Sequence, residues 1–595
     1  MSAQNPPPEG PFTGPQQPPP GYAGPPGGYP VQQTPPGYAG PPAGYGQPPP
    51  AGYGQQPPAG YAGPPGGGTG PGGPPDMLGP AGQPLYGDGP PSQGKRGIKV
   101  LVITAVLALI AGGGAFAFYQ ADPLHMFGDE PQASEALPAD ALFYLGVDMN
   151  PSASQKVKAL QFLNHFPAFR EEADLDENAD VRDRLFGEAL SDTECEGVSY
   201  EDTIKPWVGD KFGMALMEPA GGETDPVPVV AIQVTDEAKA DDQLSKLATC
   251  VGGENVEFGH AFTGDYALLA ETSELADGFA NDAADNALAD SSEFKADMES
   301  LGDLGIATMW VDVEGSLNVA TPEILGRGGD MDNQLDMLKS KYQRVAATFR
   351  FESDAVEIAT TVFGETVEIS HGDNQIVELP ESSVVAMSQA GGADRLGASW
   401  DDIKELAGSE GVNFDQEVAD FEAETGFSLP EDLATVLGEN IMFVADADGL
   451  TSEALQSEQF DAVNAGIRFT GDAEAQKALY DEVSQLLGSQ EDLPLVTLEA
   501  EDGFVMASND AYAETLKELG GDLGSSEAFT SVVDDAASKE AVFYFNWDLI
   551  EDQVIEALPG GPEIAENIEP LRAVGISADV EGDYTKIVAK VSVND

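Results

Sequence analysis

Along "ALPADALFYLGVDMNPS", residues 136 to 152, apolar and polar positions alternate with a period of two, and Phe143, Leu145 and Val147 share one face of a strand. The same alternation puts Asp148 on the opposite face. Beyond the strand, Ser152 and Gln155 form an S-x-x-Q capping box, and Val157, Leu160 and Leu163 recur at near-helical spacing until Pro167 ends the run. The pattern predicts a strand, an Asn150-Pro151 turn and a capped helix. That reading accounts for Asn150, Pro151 and Ser152 as turn chemistry. Asp148 stays open as a ligand contact if its face lines an enclosed groove.

Strand and helix patterns of this kind recur through residues 136 to 595, and at offsets of 229 to 242 residues they match one another in order, which signals an internal duplication. "LPADALFYLGV" from Leu137 resembles "LPESSVVAMSQ" from Leu379, and "EDTIKPWVGDKFGMAL" from Glu201 resembles "PEDLATVLGENIMFVA" from Pro430. "VVAIQVTDEAKADDQLSKL" from Val229, "SSEFKADMESLGDLGIATMWVDV" from Ser291 and "VAATFRFESDAVEIATTV" from Val345 have counterparts starting at Asn464, Ser525 and Val574. The last stretch reads as a hairpin turning at Glu352 to Asp354. Hairpins with helical crossovers predict an α+β fold of mainly antiparallel sheets, tandemly duplicated as 136–365 and 366–595. At the 242-residue offset Asp148, Asn150 and Pro151 meet Ala390, Gly392 and Ala393, so the polar cluster belongs to the first half alone.

The pattern changes at Val100 to Tyr119, "VLVITAVLALIAGGGAFAFY", which carries no charge over 20 residues and as a helix would span about 30 Å. It predicts a single transmembrane helix within residues 95–119, followed by a linker at 120–135. Lys95, Arg96 and Lys99 precede it, and Asp122, Asp129 and Glu130 follow, so the positive-inside rule puts the N-terminus in the cytoplasm and the C-terminal region outside. Ala115-Phe116-Ala117 has the form of a signal cleavage site, but a leading region of about a hundred residues argues for an anchor. Thr104, Ala108 and Gly112 form a small-residue stripe of the kind that packs membrane helices.

Residues 1–94 repeat variants of "PPGYAGPPGGYP" and hold too little apolar surface to offset the entropy of ordering, so they are expected to form a disordered cytoplasmic tail. Pro19-Pro20-Gly21-Tyr22 and Pro35-Pro36-Gly37-Tyr38 have the P-P-x-Y form bound by aromatic-lined grooves, a form such a repeat also generates by chance.

Charge narrows the partners. Residues 1 to 99 hold three acids and three bases and residues 100 to 119 none, so the whole formal net charge of −76 falls on residues 120 to 595. Such a field repels nucleic acid and anionic lipid; basic proteins or cations are the ligands it favours, but the acids are scattered along the segment, and a solvated acidic surface is the stronger reading. The two cysteines, Cys195 and Cys250, read as one disulfide of the first half, closing a loop of roughly 55 residues in an oxidising compartment.

No motif completes a reaction centre. The four histidines, His125, His165, His260 and His371, stand far apart and in no zinc pattern, and neither a G-x-S-x-G elbow nor a P-loop occurs. Ser292 and Lys295 satisfy S-x-x-K without the companion elements of acyl enzymes. "DLDENADVRDRL" from Asp174 and "VADADG" from Val444 fall short of calcium loops by their missing ligands. No catalytic, metal or cofactor residues are therefore assigned.

The Leu-Pro-Ala-Asp start, the Gly-Val-Asp strand end, Asn150-Pro151-Ser152, Phe166-Pro167 and the later "IKPWVGDKFG" from Ile204 together resemble a family of actinobacterial single-pass membrane proteins whose exported part is a domain of unknown function. The resemblance implies localisation and architecture and brings no catalytic residues with it. The expected function is that of a membrane-anchored, exported, non-enzymatic binding or scaffolding protein of the cell envelope. A carboxylate-dependent envelope hydrolase and an envelope sensor or assembly factor working through the cytoplasmic tail are the alternatives.

Overall fold

A computed structural model of the chain describes residues 132–172, 198–219, 226–252, 258–319, 338–367, 369–409, 412–450, 462–487, 495–557 and 562–594. The tail, the apolar run Val100 to Tyr119, the Asp174 loop and Cys195, and with it the expected pairing to Cys250, lie outside the described residues. Among the described residues no helix is long and apolar enough to cross a membrane.

The first half contributes strands β1 (Ala141–Asp148), β2 (Val208–Met217), β3 (Val227–Val234), β4 (Gly259–Thr263), β5 (Tyr266–Ala270), β6 (Ala307–Asp312), β7 (Tyr342–Phe351) and β8 (Ala355–Gly364). The second contributes β9 (Ser383–Ala390), β10 (Asn440–Asp446), β11 (Ala465–Thr470), β12 (Val496–Ala500), β13 (Gly503–Ala507), β14 (Ala541–Asn546), β15 (Leu571–Glu581) and β16 (Tyr584–Val593). All sixteen form one sheet in the order β12-β13-β11-β10-β9-β14-β15-β16-β8-β7-β6-β1-β2-β3-β5-β4. The two halves therefore share a single sheet.

Counted within each half, the strand order is the same, 4-5-3-2-1-6-7-8, and the halves join through their last strands. β8 and β16 run antiparallel with Ala359 opposite Val588, its own counterpart at the 229-residue offset. A local pseudo-twofold axis perpendicular to the sheet therefore passes between these residues. The junction carries a cross-strand ion pair on one side of the axis only: Lys590 faces Glu357 across the strands at 3.2 Å and reaches Asp534 at 2.5 Å, while the symmetric pair is Lys586 and Thr361.

The β7–β8 hairpin turns at Glu352 to Asp354, closed by the Glu352 amide donating to the Ala355 carbonyl at 2.7 Å. Both faces of β1 are covered, which alternation alone does not convey. Phe143 and Val147 pack beside Trp207, Phe212 and Leu244, while Tyr144 packs with Leu288, Phe294 and Trp310. The second half repeats the latter core with Ile376, Leu379, Tyr512, Phe529 and Tyr544.

The capped helix forms at Ala153–Leu163, with the Gln155 amide donating to Ser152 Oγ at 3.4 Å. Only this half of the capping box is made. The Gln155 side chain instead brackets Phe351, accepting from its amide at 2.9 Å and donating to its carbonyl at 3.1 Å. Ala159, Phe162 and Leu163 thereby cover the junction, packing with Phe351 of the first half and Val593 of the second. Pro167, expected to end the run, opens the next helix, Pro167–Glu172; its missing N–H costs nothing at a helix start.

Candidate functional site

Asp148 ends β1 directly opposite Lys211 of β2. Both side chains turn to the face of the sheet that carries Tyr144, away from Phe143 and Val147, and there they line a cavity of about 370 Å³. Lys211 Nζ stands 3.5 Å from Asp148 Oδ2, with the two side chains only 4% and 15% exposed. The Asn150 amide donates to Asp148 Oδ1 at 2.8 Å, an Asx turn that swings the chain toward the capped helix, and the Lys156 ammonium holds the Asn150 side-chain oxygen. Turn and site are thus built from the same residues. Burial raises the Asp148 carboxyl above the usual aspartate value, opposed by the Lys211 charge and the Asn150 N–H.

The floor of the cavity is Tyr144, whose hydroxyl meets Thr308 and Ser134 and is pushed up to about 12 by burial. Two glycines make the room. A Cβ at Gly146 would run into the Tyr144 hydroxyl, and one at Gly305 into the Phe349 carbonyl. The helix Ser292–Ser300, capped by Ser291 accepting from the Phe294 amide at 3.4 Å, supplies an apolar wall. Phe294 meets Tyr144 edge-on at 5.5 Å between ring centres, and Met298 and Leu304 continue the wall to the rim.

Behind that wall lies a buried charge network. Asp297, fully inaccessible, accepts from Trp310 Nε1 at 2.8 Å and from Arg344 at 2.7 and 3.2 Å. It fixes the helix against β6 and β7, and so fixes the wall.

The other residues singled out in the sequence are held by the fold itself. Lys295 pairs with Asp290 at 3.4 Å on an exposed helix face, so Ser292 and Lys295 form no nucleophile and base. Asp446 of the "VADADG" stretch accepts from Ser382 and Tyr512, each at 2.9 Å, and from Ser383 at 3.3 Å. Three hydroxyls thus engage this carboxylate within the fold.

The fold also gathers three residues that sequence distance conceals. His371, Glu540 and Asp579 bring ligand atoms within 4.8 Å of one another. Such a set could hold a divalent cation, but two cations of the chain already stand there: Arg395 pairs with Glu540, and Lys539 with Asp579 at 3.5 Å. Burial raises the Glu540 carboxyl, opposed first by Arg395.

These features describe an α+β protein with one large antiparallel sheet and a small charged cavity built into its first half. Residues 100–440 match the family described as protein of unknown function DUF3352, and since the match covers more than half of the sequence, the chain belongs to that family. It takes in the whole first half and stops where β10 begins. No curated protein and no solved structure matches the chain.

Proposed function

We propose that this chain is a membrane-anchored, exported protein of the cell envelope that binds a small ligand in the cavity of its first half, with the second half as a duplicated scaffold. The observation that carries the reading is the convergence of Asp148, Lys211 and Tyr144 on one cavity, in the half that alone carries the polar cluster. The uncharged run at 100–119 and its basic flank support the anchor. Twelve residues separate Tyr119 from Gln132 at the cavity, so the site would lie within about 45 Å of the membrane surface.

The hydrolase alternative has less support. Glycoside hydrolysis uses two carboxylates about 5 to 9.5 Å apart, and Asp148 is the one carboxylate lining the cavity among the described residues. Reporter fusions test the topology: alkaline phosphatase joined after residue 131 should be active, and a fluorescent protein there that folds in the cytoplasm would reject it. A ligand-observed NMR screen tests the site. Hits should lose binding in the cavity-filling Met298→Trp, and hits indifferent to that substitution would reject the cavity.

A further inference from the structure

Resting on the cavity as the ligand site, we propose that its ligand is a small zwitterion of the α-amino-acid type, with its ammonium beside Asp148, its carboxylate beside Lys211 and an apolar side chain against Phe294 and Met298. The charges on the site set the class. Asp148 and Lys211 together are neutral, so a purely anionic ligand meets the carboxylate and a purely cationic one meets the ammonium. An anion is further opposed by the net charge of −76 on the surrounding chain. A zwitterion meets neither objection.

Geometry points the same way. At 3.5 Å the pair is longer than the 2.7–2.9 Å of a closed charge-assisted hydrogen bond, and both groups face the cavity. Two opposite charges at that spacing match the neighbouring ammonium and carboxylate of an α-amino acid. Four charges then alternate, each beside two of opposite sign, in a setting where water does little to screen them.

The rest of the lining selects against a hydroxyl-rich ligand such as a sugar. The Tyr144 hydroxyl meets Thr308 and Ser134, Ser152 Oγ caps its helix, the Asn150 side-chain oxygen is held by Lys156 and the Gln132 side chain meets Asp148, so the ion pair is the charged feature a ligand can answer. The facing wall is apolar, and Leu304 at its rim is 42% exposed, a large apolar surface that a ligand side chain would cover. A volume of about 370 Å³ lies at the small end of ligand sites, which suits a single amino acid better than a peptide.

Isothermal titration of the full chain in detergent micelles with four probes tests this: L-leucine, L-leucinamide, 4-methylpentanoate and D-glucose. Leucine should bind, and the two analogues, each lacking one charge, should bind at least about tenfold more weakly, the minimum for losing a charged hydrogen bond. In Asp148→Asn the gap between leucine and 4-methylpentanoate should close, and in Lys211→Met the gap between leucine and leucinamide. Analogues that bind the native chain as well as leucine would overturn the zwitterion without needing either variant to fold. Glucose binding that Met298→Trp abolishes, with no leucine binding, would overturn the ligand class but keep the cavity. Leucine binding unchanged in Met298→Trp would overturn the cavity as the site.

Discussion

The two halves of the sheet are the same backbone furnished twice. Asp148 pairs in register with Lys211 in the first half, and at the equivalent rungs Ala390 pairs with Asn440 in the second. Tyr144 and Gly146 correspond to Ala386 and Ser388, and Gly305 to Lys539. Where the glycines leave space in one half, the second closes it: Ser388 Oγ donates to Asn374 Oδ1 at 2.6 Å, and Asn374 Nδ2 donates to the Lys539 carbonyl at 3.0 Å. Asn374 stands at the position Gln132 holds beside the cavity. The sheet thus tolerates either an open charged site or a neutral plug at one location, and backbone topology does not decide which. Side-chain volume at a few positions does.

The wall shows the same division. Asp297, Trp310 and Arg344 are replaced in the second half by Val532, Tyr544 and Ala573, all buried, with Phe529 against Tyr544 at 5.0 Å much as Phe294 lies against Trp310 at 5.8 Å. The largest expected effect follows. Asp297→Ala takes the carboxylate from a half-buried guanidinium, which keeps Glu293 at 3.8 Å, and from the buried Trp310 N–H, and should cost about 3 kcal/mol in urea unfolding. Installing the second half's solution whole, as Asp297→Val with Trp310→Tyr and Arg344→Ala, should return most of that loss, because a packed apolar set can replace a buried ion network. A triple variant no more stable than Asp297→Ala would mean the halves are not interchangeable at this wall.

Next in size is the glycine. Gly146→Ser, the second half's residue, sets a Cβ against the Tyr144 hydroxyl and should cost about 1–3 kcal/mol by overpacking. In a Tyr144→Ala background, which supplies the second half's partner, the same change should cost clearly less. A double-mutant cycle with no coupling would show that Gly146 is not there to admit the tyrosine.

Much of the scaffold was legible in the sequence because it rests on local patterns. Alternation gave β1 and its two faces, Ser152 marked the helix start, and five ordered matches implied the shared strand order. Asp148 stood out because its counterpart is Ala390. Lys211 was missed, although the same comparison would have set it against Asn440; its meaning depends on β1 and β2 meeting in register, 63 positions apart. Gly146 and Gly305 were unreadable for a related reason, since each makes room for an atom from elsewhere in the chain. His371, Glu540 and Asp579 come from two connectors and one strand of the second half, and no short motif could join them. Gln155 fitted a capping box well enough to conceal its longer-range role at Phe351.

Features that the halves share should respond alike. Ser291 and Ser526 cap corresponding helices, accepting from the amides of Phe294 and Phe529 at 3.4 and 3.3 Å. Each serine to alanine change should cost about 1 kcal/mol, and the two costs should agree within a few tenths. A large difference in urea midpoints would place one helix outside the common scaffold.

The smallest expected effect is a change of titration, and it compares a buried carboxylate in each half. Burial raises both Asp148 and Asp446 above the ordinary aspartate value; the chief opposing influence is the Lys211 ammonium for the first and the Tyr512 hydroxyl for the second. A carboxyl raised on folding takes up a proton as the chain folds, so the stability it contributes is full below its unfolded pKa and is lost as pH rises through its folded one. Lys211→Met removes the charge that holds Asp148 down, and should move its titration, followed by the NMR shift of its carboxyl carbon, to higher pH. Asp446, held by hydroxyls in the other half, should titrate unchanged in the same sample. If Asp148 does not move, the lysine is not its electrostatic partner, and the two carboxylates differ only in their address on the sheet.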